Sequence, residues 1–341
     1  MSFEISELKR SKSYAMQEVH FSGGLRGHLT EQGWSLLPIP SDDEPAALVF
    51  RDAVAHKQFA EQCGAYFLGM CAKYRNSPDD ERNLMEVWEY GSRDSASQLS
   101  AADSWAAISF RAGEVKDKEY SASAQFISRH LRASSARLKD ISDGYHEQLR
   151  WALEDNVKVG EWFSNAPLLN IHSNFHSLAT ELCSARDHLA RVAAIHVGAG
   201  DNIDNLARLE GWLKKSSNLE SRKNPLVSLL LTELGTESSP GWLRQLGLMR
   251  NKMIHKIPMG GGGEYSSLTL DEVNTIYGPI KTIRLGQSPS SPGDVNGKDD
   301  PLIEIGAICM KLENLCRASW KLAKYPAKPL TLFNSEKKSG Q

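Results

Sequence analysis

Between Tyr120 and Leu149 apolar side chains recur at alternating steps of three and four. Tyr120, Ala124, Ile127, Leu131, Leu138, Ile141, Tyr145 and Leu149 carry the pattern, with Ser134 filling its one gap. That period is one face of a helix of about 30 residues. So narrow a seam needs a partner of similar length, as in a coiled coil or a long antiparallel helical hairpin. Gly144 interrupts it with a residue that weakens helices by about 1 kcal/mol relative to alanine. A second stripe follows at Leu168, Ile171, Phe175, Leu178, Leu182, Ala185, Leu189, Val192 and His196. Between the two, "NVKVGEWFSNAPLLN" breaks the period, which places a domain boundary near residue 160.

Other segments add helices. "SDDEP" offers Asp42 and Asp43 as caps and Pro45 in a first turn. The apolar run after it reads as one largely buried helix as far as Tyr74. Residues 83–110 read as one or two shorter helices, and the stretch before residue 40 as one or two strands or a lid of loops. In the C-terminal half, "NLARLEGWLKK", "NPLVSLLLTEL", Pro240–Ile257 and Leu302–Leu322 are helical. Ile305, Ile308, Leu312, Leu315, Ser319 and Trp320 form the core stripe of the last one. Gly260–Gly263 end regular structure as a linker, and residues 265–286 leave room for a small β-hairpin insertion. A Ser/Pro/Gly-rich flexible insert, 286–301, and a loose tail, 326–341, complete the chain.

The expected fold class is therefore all-α. A helical regulatory or dimerisation module at 1–160 precedes a helical bundle at 165–325. The five cysteines are odd in number and include no C-x-x-C, which argues for buried free thiols in a reducing cytosol and a cytoplasmic protein. No apolar run approaches the roughly 20 residues needed to span a bilayer, so no membrane partner is expected. A net charge of -2 excludes binding to nucleic acid through global charge alone, leaving only a local patch.

Chemistry concentrates in "LRQLGLMRNKMIHKIP", Leu243–Pro258. On a helical wheel Leu246, Met249, Met253 and Ile257 form a core face, and Arg244, Leu248, Asn251 and His255 lie opposite. Asn251 and His255 stand one turn apart, and Arg250 borders the core face. Histidine suits proton transfer near neutrality, and arginine offers a fork of donors to phosphate oxygens. A histidine and an arginine without a carboxylate cage fit metal-free RNA cleavage, with the ribose 2′-hydroxyl as nucleophile.

This segment resembles the R-x4–6-H signature of the HEPN superfamily, in its Arg-Asn-x3-His form, at Arg250, Asn251 and His255. "LATELCSARDHLARVAAIHVG" is similar to the family's earlier core helix, whose polar residue near the cleft would be Asp187. The resemblance covers about residues 165–325. It implies a four- or five-helix bundle, a homodimer with the motif facing the partner, and a metal-independent endoribonuclease of toxin or phage-defence type. His255 would be the general base, Arg250 the phosphate stabiliser, Asn251 and Asp187 their supports, with RNA as substrate and no cofactor or metal. A neutralising or regulatory protein partner is also implied. The alternative is a HEPN-like module that binds RNA or serves as a scaffold without cleaving.

Other motifs carry less. His172 and His176 are spaced to share a zinc ion but lack the glutamate and a third ligand, so helix surface is the expected role. His176, Thr180, Cys183, Asp187 and Arg191 form a second stripe that either lines the cleft or meets solvent.

Overall fold

A computed structural model describes residues 14–39, 46–75, 85–90, 100–255, 267–286 and 300–328. The chain is mixed α/β, which overturns the all-α expectation. Its first 90 residues build a six-stranded sheet instead of a helical module. The strands are β1 (Tyr14–Phe21), β2 (Arg26–Thr30), β3 (Gly33–Ile39), β4 (Ala46–Phe50), β5 (Phe67–Arg75) and β6 (Met85–Tyr90). They pair antiparallel throughout, in the order β4-β3-β2-β1-β5-β6.

The long helix expected up to Tyr74 is three elements: β4, a helix α1 (Ala53–Gln62) and β5. Asp52 caps α1, its Oδ1 accepting from Ala55 N at 2.8 Å. The caps expected at Asp42 and Asp43, and Pro45, lie outside the described residues. Gly64 ends α1 at a φ of +74°, which a side chain would strain. The misreading has a physical cause. His20 on β1 bonds to the bundle, whereas the next residue, Phe21, packs against His56 of α1. Successive strand residues face opposite sides, so the sheet is covered on both. Its inner strand β5 accordingly lacks polar alternation, and a short apolar run of that kind cannot be told from a buried helix by period alone. Residues 83–110 likewise hold β6 before a single helix.

The remaining helices are α2 (Ala101–Glu114), α3 (Lys118–Glu154), α4 (Leu168–His196), α5 (Leu206–Leu213), α6 (Pro225–Leu234), α7 (Trp242–His255) and α8 (Pro301–Trp320). Ser100 and Asn224 cap α2 and α6 with side-chain oxygens on first-turn N–H groups. The seam read between Tyr120 and Leu149 is the buried face of α3, every member including Ser134 being buried. Contacts between α3 and α4 run in opposite chain directions. Tyr120 meets His196 at 3.0 Å, His130 meets Glu181 at 2.6 Å, and Arg137 meets Asn174 at 3.2 Å. The two are an antiparallel hairpin. Gly144 lets them close, since a Cβ there would stand 2.8 Å from Ile171 Cγ1.

The strands at 267–286 pair as β8 (Ser267–Thr275) and β9 (Gly278–Gly286) around a two-residue turn. They are not a detached insertion. The short strand β7 (Trp162–Phe163) joins β8, and Tyr277 at the turn packs on Phe50 and Phe59 of the large sheet side. The linker Gly260–Gly263, residues 287–299 of the expected insert and residues 329–341 of the tail lie outside the described residues.

Buried apolar side chains of the sheet, hairpin and bundle form one continuous cluster. Leu182, Leu189, Leu246, Ile308 and Leu312 belong to it, with Met253 partly buried against it. Each buried leucine contributes about 1.5–3 kcal/mol. Helix α3 serves both sides. Its inner face packs on α4, while Ser142 and Asp143 bond to His20 and Arg26 of the sheet at 3.2 and 2.5 Å. All five cysteines are buried free thiols. No helix among the described residues is long and apolar enough to cross a membrane.

Candidate functional site

Helix α7 carries the motif and packs on α4. Leu243 and Leu246 are buried, Met249 and Met253 half-buried, and Gln245, Leu248, Asn251 and Lys252 exposed. The Cys183 thiol of α4 reaches Leu246 O at 3.9 Å, and Arg186 Nη1 donates to Leu243 O at 3.3 Å. Residue numbers rise on one helix as they fall on the other, so α4 and α7 are antiparallel.

Arg250 is half-buried beside this interface, and its Nη1 donates to Asn251 Oδ1 at 2.9 Å. The other arginines nearby are neutralised. Arg186 pairs with Asp187, Arg191 with Glu119 and Asp201, and Arg244 with Glu210. Among the described residues no carboxylate pairs with Arg250, and its buried Nε has no hydrogen-bond partner. A guanidinium held by a neutral amide, with no carboxylate on it among the described residues, has donors that suit an anion. Burial pushes the Cys183 thiol up, with Arg186 and Arg250 pulling it down, which puts Arg250 within electrostatic reach of the α4 surface.

His255 is the last residue of α7, four positions beyond Asn251, and its side chain lies outside the described residues. Asp187 is placed elsewhere. Its Oδ1 accepts from Arg186 Nε and Nη2 at 3.0 and 2.9 Å and from Leu206 N at 3.2 Å. It therefore holds the start of α5 near Leu243, seven residues or about 10 Å along α7 from Arg250. Arg244, read as part of the polar face, is tied to α5 through Glu210 at 2.8 Å. No group of metal-ligating side chains forms among the described residues, at His172 and His176 or elsewhere.

Three polar features escaped the sequence reading. One is the charged layer between α3 and the sheet. Glu18 is held down at about 2 by the His20 ring 3.8 Å away, with Lys73 at 3.2 Å assisting against burial. His20 is itself pushed down to about 4 by burial. The second is Asp300, which lines a cavity of about 470 Å³ beside Asp271 and Arg284. Burial raises its carboxyl to about 7. The third is a set of stacked rings, Phe126, His130 and His188, on the α3–α4 surface. The i, i+4 spacing of Phe126 and His130 was the signal available for that last one. Glu18 and Asp300 gave none that could be read locally, because Glu18 meets Lys73 only across the sheet and Asp300 meets Tyr145 only across the core, 55 and 155 residues away.

No protein-family model matches the chain, and no curated protein or solved structure matches it either.

Proposed function

We propose that the protein is a metal-independent endoribonuclease of toxin or phage-defence type, with its catalytic face on α7 in a HEPN-like arrangement of helices. The observation that carries the reading is Arg250: half-buried, bonded to Asn251 at 2.9 Å, and without a carboxylate partner among the described residues. His255, on the next turn beyond Asn251, is the base. It takes the proton from a ribose 2′-hydroxyl, whose oxygen attacks the adjacent phosphorus. Negative charge then builds on the phosphate oxygens, and Arg250 is the fixed positive charge that meets it. The 5′-oxygen departs with a proton, leaving a 2′,3′-cyclic phosphate and a 5′-hydroxyl end. Asn251 holds the Arg250 fork in place, a role different from support of the base. None of these steps requires a metal or cofactor.

Leu248, 60% exposed on the uncovered side of α7, supports a second copy or a neutralising protein covering this face. A homodimer would bring two Arg250–Asn251 pairs to one groove. The experiment is single-turnover cleavage of mixed RNA in EDTA. Wild type cleaves and leaves cyclic-phosphate ends. Arg250→Ala loses about 10²–10³ in rate and His255→Ala about 10²–10⁴, each with unchanged circular dichroism. Activity that requires added magnesium, or survives in folded His255→Ala, overturns the proposal. Binding of RNA without cleavage would favour a recognition module instead.

A further inference from the structure

We propose that the ring cluster on the α3–α4 surface seats an unpaired base of single-stranded RNA; this rests on the function proposed above. Phe126 and His188 have ring centroids 4.7 Å apart and planes within 12°. His130 lies 5.5 Å from His188 at 13°, and 6.0 Å from Phe126 at 21°. Three nearly parallel rings from two helices thus make a terraced aromatic surface, and Phe126 is 39% exposed. The rings are fixed, not merely adjacent. Glu181 Oε2 holds His130 Nδ1 at 2.6 Å, and burial, together with the neighbouring His130, pushes the His188 ring down. Arg129 lies over the Phe126 ring, its guanidinium 5.8 Å from the centroid, and pairs with no carboxylate among the described residues. A base that takes this ring face displaces the flexible Arg129 side chain, which is then free to meet the base's phosphate.

The surface also has a place relative to Arg250. On α4, His188 and Glu181 meet α3, whereas Cys183 and Arg186 meet α7. Thr180 and Ser184 fall between these two directions on the helical wheel. Both are small, and their hydroxyls turn back onto the carbonyls of His176 and Thr180 at 3.0 and 2.9 Å. They add little bulk to the side of α4 between the rings and α7. Interaxial spacings of about 8–10 Å on either side, with an offset of about 10 Å along the helix axes, put the rings roughly 20 Å from Arg250, a span of a few nucleotides. A single strand laid across α4 would stack one base on the rings and present a phosphate to Arg250.

The test uses the full chain and a non-cleavable 2′-O-methyl RNA oligonucleotide carrying 2-aminopurine, whose fluorescence is quenched on stacking. The single strand should bind with quenching, and its duplex with a complementary strand should not. Phe126→Ala should remove the quenching and weaken binding about 5- to 100-fold. Phe126→Trp should restore both and Phe126→Leu neither, which separates stacking from burial of apolar area. Arg129→Ala should lower the salt dependence of binding by about one counterion. Wild-type quenching and affinity in Phe126→Ala, or equal binding of the duplex, overturns the inference. If that happens while Arg250→Ala still abolishes cleavage, the proposed function stands without this seat. Quenching that depends on Phe126 in a protein that cleaves nothing has the opposite meaning.

Discussion

Replacing Asp300 by asparagine tests the electrostatics of the interior directly. Asp300 is 3% exposed, and its Oδ1 accepts from Tyr145 Oη at 2.9 Å and Leu302 N at 3.0 Å. Burial raises the carboxyl from its ordinary 3.8 to about 7, against the pull of those two bonds and of Arg284. An unfolded chain ionises this group near 3.8, whereas the folded chain keeps the proton until about pH 7. Between those values the folded state binds more protons, so stability falls as pH rises. The contribution is fully present below pH 3.8 and lost once pH has passed about 7. At 1.36 kcal/mol per pH unit the loss is at most about 4 kcal/mol. Asparagine keeps the Oδ1 acceptor and cannot ionise. Asp300→Asn should therefore match wild type near pH 4 and exceed it at pH 8, by one to several kcal/mol on the order of that ceiling. Urea unfolding followed by circular dichroism from pH 4 to 8.5 measures the difference, and other titrating groups cancel between the two proteins. A difference that does not change with pH, or a variant less stable at pH 8, refutes the reasoning.

Glu18→Gln should show the opposite dependence. With the carboxyl held at about 2, its stabilisation is present above about pH 4.5 and lost as pH falls through 2, so the variant should lose about 1–3 kcal/mol at pH 7 and converge on wild type in acid. Gly144→Ala puts a methyl group 2.8 Å from Ile171 and should cost about 1–3 kcal/mol of overpacking, offset in part by helix propensity; adding Ile171→Val should recover part of it in thermal unfolding. Leu182→Ala, in the centre of α4, should cost about 2–5 kcal/mol by the same assay. Leu248→Glu, on the exposed side of α7, should leave the fold intact but yield monomers in sedimentation and lose cleavage, if a second copy covers that face.

The helices that pack on one another were legible and the sheet was not, for a reason visible in particular residues. Helix α3 has water on part of its surface, so its buried positions, from Tyr120 to Leu149, stand out against Arg129, Arg132 and Arg137. Strand β1 buries His20 completely, and β2 buries Arg26 with it. These polar side chains bond to Ser142 and Asp143 of α3, and the apolar alternation that announces a strand is erased. Strand β5 erases it in the other way, with Leu68, Cys71 and Ala72 buried on a doubly covered sheet. At the site, position along α7 was readable, because helix spacing alone puts Asn251 and His255 one turn apart. The bond from Arg250 to Asn251 was not, nor the engagement of Asp187 with Leu206, since both depend on which neighbour a flexible polar group finds after folding.

Helix α3 begins before residue 160, yet it is the wall against which α4 closes, and its opposite side is anchored in the sheet. The chain cannot be divided at that boundary into two self-sufficient pieces. A fragment of residues 165–325 would turn Ile171, Phe175, Leu178 and Leu189 toward water, a loss of several kcal/mol from so small a core. A fragment ending at residue 160 would strand the seam of α3 in the same way. The motif helix packs on α4, α4 closes on α3, and α3 is anchored in the sheet, so the three layers are joined in series. A chain that ends before α7 lacks Arg250 and Asn251 altogether, whereas the ring surface between α3 and α4 already has all its members.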